Sequence, residues 1–91
     1  MDLPFPSFEN EKPSIAYPCT WQYKVIGHDQ FRMQTAIGEI LAELEYTLEL
    51  SNTSRTGKYC SLLLTLVVAS EEHRDAIFAA ISGHRDVRVV L

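Results

Sequence analysis

The residues of this chain whose types could do chemistry are Cys19 and Cys60, the histidines His28, His73 and His84, the paired carboxylates Glu39 and Glu43, and the stretch SRTGKY. A thiol nucleophile requires a lowered pKa and a histidine within hydrogen-bond reach. Cys60 lies on the expected core side of a strand and should be inert. Cys19 is the more exposed, but no histidine is near it in sequence. A structural zinc site draws four ligands in spaced pairs, and the histidines show no pair at i, i+3 or i+4. Glu39 and Glu43 stand one helical turn apart on a solvent-facing stripe, where like charges repel mildly rather than share a proton. In SRTGKY the first glycine of a phosphate-binding G-x-x-x-x-G-K-[ST] loop is absent, Tyr59 replaces the hydroxyl residue, and a strand follows instead of a helix. These readings give a non-enzymatic protein with no metal and no cofactor, a thiol enzyme built on Cys19 being the weakest of the functional classes considered.

The elements that position these residues follow from pattern and composition. At 91 residues the chain is expected to form one domain. A fold of this size buries roughly 60–65% of the surface its unfolded chain would expose, enough for one core. Hydrophobic residues at 46% and charged residues at 22% are the balance of an ordinary soluble domain, and the net charge of −4 argues against a nucleic-acid footprint. No apolar run approaches the ~20 residues that span a bilayer. The start, MDLPFPSFENEKP, lacks the basic and apolar regions of a secretory signal, so a cytoplasmic location is expected.

Residues 1–18 hold Pro4, Pro6, Pro13 and Pro18 and show no helical or strand period. They read as a proline-rich arm, with Phe5, Phe8 and Ile15 available to pack it on the body, ahead of a domain over residues 19–91. From Thr20, Trp21, Tyr23 and Val25 alternate with Gln22 and Lys24 as in a half-buried strand that stops at Gly27. Asp29 caps a helix running to about Leu44, with Ala36, Ile37, Ile40, Leu41 and Leu44 as its apolar stripe and Phe31 extending it. Tyr46–Ser51 and Cys60–Val68 read as two strands around the polar tip NTSRTGK. Ser70 caps a second helix, with Ala76, Ile77, Ala80 and Ile81 buried and Gly83 at its end. VRVVL closes the pattern, with Val87, Val89 and Leu91 on one face.

The order β-α-β-β-α-β predicts a ferredoxin-like α+β sandwich: a four-stranded antiparallel sheet of order 4-1-3-2 with two helices on one face. The first and third strands are then antiparallel neighbours, which sets Cys19 and Cys60 roughly 25 Å apart, at ~3.3 Å per residue, far beyond disulfide reach.

YPCTWQYKVIG, the glycine-bearing hairpin before KYCSLLLTLVV, the SEEHRDAIFAAIS helix and the closing VRVVL together resemble the YbeD-like family over residues 15–91. Its members are small bacterial proteins of unknown function, often labelled lipoic-acid-binding regulators. The resemblance implies a ferredoxin-like fold close to ACT regulatory domains, and it carries over no catalytic residue.

Two functional surfaces emerge. The sheet face away from the helices is expected to present Lys24, Ile26, Leu63, Val67, Arg88 and Val90, with Arg55 and Lys58 on the adjoining hairpin. Its apolar members suit a protein partner. One aromatic, Tyr59, and few basic residues do not suit RNA stacking. The leading reading is therefore regulation by binding a partner protein. The alternative is a small-molecule sensor, for lipoate or an amino acid, at Gly27, His28 and Asp29, where the strand meets the helix N-terminus.

Overall fold

A computed structural model describes residues 15–54 and 56–91. Most of the amino-terminal arm, with Phe5 and Phe8, and the hairpin residue Arg55 lie outside the described residues. The elements are β1 (Cys19–Gly27), α1 (Gln30–Leu41), β2 (Tyr46–Thr53), β3 (Cys60–Val68), α2 (Glu71–Ser82) and β4 (Val89–Val90). The sheet order β2-β3-β1-β4 is the expected 4-1-3-2 seen from the other edge, and every pairing is antiparallel.

Alternation along β1 and β3 builds the sheet side of the core. Tyr23 and Val25 face Leu64 and Leu62 across the ladder, and all four are buried. Met33, Ile37 and Leu41 of α1 and Ile77 and Ile81 of α2 close over them. Each large apolar side chain removed from water in this way contributes about 1.5–3 kcal/mol. Met33 is fully buried one turn before Ile37, a position missed because methionine gave a weaker stripe signal than its aliphatic neighbours.

Both helices begin as expected. The Asp29 carboxylate accepts the Arg32 N–H at 2.9 Å, and the Ser70 hydroxyl accepts the His73 N–H at 3.0 Å. α1 stops at Leu41 rather than Leu44, because Ala42 turns to φ 52° while its N–H still closes on the Gly38 carbonyl. Leu44 is consequently exposed, as are Phe31, Ala76 and Ala80, which amphipathic spacing had assigned to the buried stripes. Trp21, expected in the core, is only half buried.

The last strand requires the main correction. Val90 pairs with Val25 and is 8% exposed, so it faces the core and not the open side of the sheet. Val89, opposite Ile26, takes the open side. Val87 is buried as well, and this three-residue step from Val87 to Val90 cannot come from a continuous strand of period two. The Arg88 N–H reaches the Ile26 carbonyl at 2.8 Å, where regular register would place that of Val89. The irregularity moves the following valines to opposite faces.

Cys19 pairs with Val68 and Cys60 with Gly27, at the two ends of the β1–β3 ladder, and both thiols are free. Among the described residues no helix is long and apolar enough to cross a membrane.

Candidate functional site

The side of the sheet away from the helices is built from the even residues of β1 and the odd residues of β3. Lys24 lies opposite Leu63, Ile26 opposite Ser61, and Thr20 opposite Val67. β2 adds Thr47 beside Thr65 and Glu49 beside Leu63. Leu63 and Ile26 are half buried by their neighbours, whereas Val67 is 56% and Val89 45% exposed. Ser61, opposite Ile26, is buried, and its hydroxyl has no hydrogen-bond partner among the described residues. The face therefore carries an apolar diagonal, Leu63–Ile26–Val89, flanked by Lys24, with Val67 set apart on β3 beyond Thr65. Arg88 and Lys58 are exposed at its margin; Arg55 lies outside the described residues.

At the β1–α1 junction the three candidate residues come together, each already engaged by the fold. A Cβ on Gly27 would meet the Asp86 carbonyl oxygen and the Met33 Sδ, each at 2.7 Å. Glycine is thus required there by the close approach of the 84–86 loop and α1. The Asp29 carboxylate takes up an N–H that an anion at the helix N-terminus would use. His28 Nδ1 lies 2.9 Å from the Lys58 carbonyl; since a carbonyl only accepts, this nitrogen carries the proton. The His28 ring packs on Tyr59 at 4.6 Å between centroids, which ties the β2–β3 hairpin to the junction. Next to it, between α1 and the 84–86 loop, a shallow groove of about 400 Å³ is lined by Phe31, Arg32, Glu39, His84 and Arg85 among others.

The remaining candidates for chemistry serve local structure. His73 and His84 each accept a backbone N–H on Nδ1, from Ala69 at 3.0 Å and Asp86 at 3.1 Å. Among the described residues no three of His, Cys, Asp and Glu gather as ligands for a metal ion. The Cys60 thiol is pushed above its ordinary value by burial and then by the Asp29 charge, so its reactive thiolate is disfavoured.

A further cluster went unseen in the sequence because its members are far apart in the chain. Arg74 lies with its guanidinium carbon 4.7 Å from the Trp21 ring centroid and donates to the Tyr17 hydroxyl at 3.1 Å. The Tyr23 hydroxyl donates to the Arg74 carbonyl at 2.7 Å. Burial holds that hydroxyl above the usual tyrosine pKa, against a downward pull from Arg74. Beside this cluster a groove of about 340 Å³ runs between α2 and β1, lined by Trp21, Tyr23, Arg74 and Phe78 among others.

Comparison with known proteins places this arrangement. Residues 12–91 match the family described as "Protein of unknown function (DUF493)". An uncharacterized protein of Helicobacter pylori strain J99 is 40% identical over 78 residues, covering 79% of this chain and 84% of the relative. The solution structure of protein HP0495 from H. pylori is similar at a TM-score of 0.83 and 32% identity, covering 100% of this chain and 97% of that one. The ACT domain of the GTP pyrophosphokinase of Chlorobium tepidum, 11% identical, matches at a TM-score of 0.58 over 79% of this chain and 94% of that one; this likeness concerns the fold alone. The resemblance read from the motifs and the ferredoxin-like fold read from the element order thus agree, and the chain belongs to the DUF493 family.

Proposed function

We propose that this protein is a non-enzymatic regulatory protein of the bacterial cytoplasm that binds a partner protein through the open face of its sheet. The observation that carries the reading is the apolar diagonal Leu63–Ile26–Val89, which crosses three strands on the side that neither helix covers, with exposed Val67 further along β3. Exposed apolar residues that occur singly need no explanation, but an adjoining set such as Leu63, Ile26 and Val89 on one flat face favours association. Lys24 beside this diagonal supplies a charge that orients the partner and selects against cationic ones. The test compares affinity capture from bacterial extract by the wild-type chain and by Leu63→Glu, with thermal melts confirming that both are folded. A protein retained by the wild type and lost with Leu63→Glu is the expected result. Equal retention by both would remove the open face as the contact.

A small-molecule reading attaches to the groove beside the β1–α1 junction. Phe31 stands 75% exposed there, next to Arg32 and Arg85. Arg32 lies 3.9 Å from both Asp29 and Asp86 and Glu39 also lines the groove, so pairing with the carboxylate of a hydrocarbon-chain acid such as lipoate falls to Arg85, with Phe31 as the apolar surface. Amide ¹H–¹⁵N spectra titrated with lipoate and octanoate test it. Saturable shifts at Phe31, Arg32 and Arg85 support the sensor, and unchanged spectra at millimolar ligand exclude it.

A further inference from the structure

β1 is nine residues long and is paired along its whole length with β3, but its other side is only partly covered. β4 pairs with Val25 and Ile26, and Leu91 exchanges both backbone hydrogen bonds with Lys24, at 3.0 and 2.9 Å. Beyond that pair no further bond is made on this side among the described residues. In an antiparallel sheet the residues that point their N–H and C=O groups to one side alternate. Since Lys24 points both groups toward β4, Gln22 and Thr20 do so too. Among the described residues no backbone group meets them on that side. Among the described residues a strand in the middle of the sheet is thus an edge over its first half.

Open ladder groups next to an apolar groove accept one kind of occupant, an extended backbone with alternating side chains. The groove between β1 and α2 lies directly under the missing stretch of strand, with Trp21 and Tyr23 on its wall and Phe78 exposed at its rim. The charge is positive on the open-face side only. Lys24 stands there beside Gln22 with no ion-pair partner among the described residues, whereas Arg74, over Trp21, is paired with Asp75 at 3.3 Å, and Asp75 also lines the groove.

We propose that the partner protein contributes an extended segment, with an acidic residue on its open-face side, that continues β4 along the first half of β1, pairing with Gln22 and Thr20. The segment runs in the direction of β4. Its residues opposite Tyr23 and Trp21 enter the groove, and those opposite Gln22 and Thr20 lie on the open face. This inference rests on the partner-binding reading and identifies what the partner brings to the sheet.

The probe is the blocked peptide acetyl-Val-Glu-Phe-Thr-Val-amide, patterned on that register, and its analogue N-methylated at the Glu and Thr nitrogens, which cannot donate to β1. Amide exchange of the free protein comes first. Gln22 should exchange at least about a hundredfold faster than Tyr23, whose N–H is held by β3. With millimolar peptide, saturable ¹H–¹⁵N shifts should centre on Gln22, Trp21 and Phe78, and the N-methylated analogue should bind at least about tenfold more weakly. Gln22→Pro, which removes an outward N–H and no described ladder bond, should fold and lose the shifts, while Leu63→Glu should keep them. Slow Gln22 exchange in the free protein would overturn the proposal, because residues 1–14 or a second copy would then already cover the edge. Absent shifts, or equal binding of the two peptides, would overturn it too. Either failure would leave the open-face reading and its Leu63→Glu test intact.

Discussion

Replacing Gly27 by alanine tests whether the β1–α1 junction is a packing site or a place with room for a ligand. The added Cβ would lie 2.7 Å from the Asp86 carbonyl oxygen and 2.7 Å from the Met33 Sδ. Both are well inside van der Waals contact. Neither neighbour moves freely: the oxygen belongs to the backbone of the loop leading into β4, and Met33 has no exposed surface. Overpacking of this kind costs about 1–3 kcal/mol. In a domain of this size each kcal/mol lowers Tm by about 4–8 °C, so Gly27→Ala should melt roughly 5–20 °C below the wild type. Circular dichroism melts and urea transitions measure this, with Gly38→Ala as the contrast. There the nearest atom to a new Cβ is the Tyr46 hydroxyl at 3.3 Å, the far end of a side chain. Helix propensity then gains up to about 1 kcal/mol. If Gly27→Ala melted within about 2 °C of the wild type, the loop would not press on the junction as described. The exclusion of ligands from that point would lose its basis.

Three further outcomes follow from the described geometry. Asp29→Ala removes the cap on α1 and should cost about 1 kcal/mol in urea unfolding, most of which Asp29→Asn should restore; an unchanged midpoint would contradict the cap. Tyr23 and Cys60 both have raised pKa values, Tyr23 chiefly through burial and Cys60 through burial and then Asp29. The unfolded chain therefore releases these protons first, so their contributions to stability are complete below about pH 8 for Cys60 and about pH 9 for Tyr23, and are lost as pH rises through the folded values. Tyr23→Phe should lose about 1 kcal/mol at about pH 8, with the hydrogen bond to the Arg74 carbonyl, yet decline less steeply than the wild type toward about pH 11. An equal or steeper decline would refute the assignment. Iodoacetamide near neutral pH should alkylate Cys19 well before Cys60, which is nearly enclosed; equal rates would mean that the β3 end of the core opens readily.

Much of the fold was legible because burial imposes a period on the residues. Alternation in Cys60–Val68 marked a strand, 3.6-residue spacing in Ile37–Leu41 marked a helix, and Asp29 and Ser70 marked two helix starts. VRVVL, with four apolar residues in five, carries no alternation from which a facing can be read, and its Val90 was set on the wrong side. The register is decided by the Arg88–Ile26 hydrogen bond, a contact more than sixty residues apart in the chain. α1 ended early at Ala42 because a positive φ has no signature when the residue is not glycine.

The candidate sites divide along the same line. The sequence by itself determined the element order, the two caps, the alternation that leaves one sheet face to solvent, and the family, because each is encoded by neighbours within a turn or a strand. Only the tertiary structure decided that Gly27 is hemmed in by Asp86 and Met33, that His28 holds the hairpin, and that Arg74 meets Trp21 and Tyr17. It alone also left Gln22 and Thr20 without a strand beside them among the described residues. These are relations between segments distant in the chain, set by how the strands register and how the helices cross them. A local pattern of residue types contains no term for either.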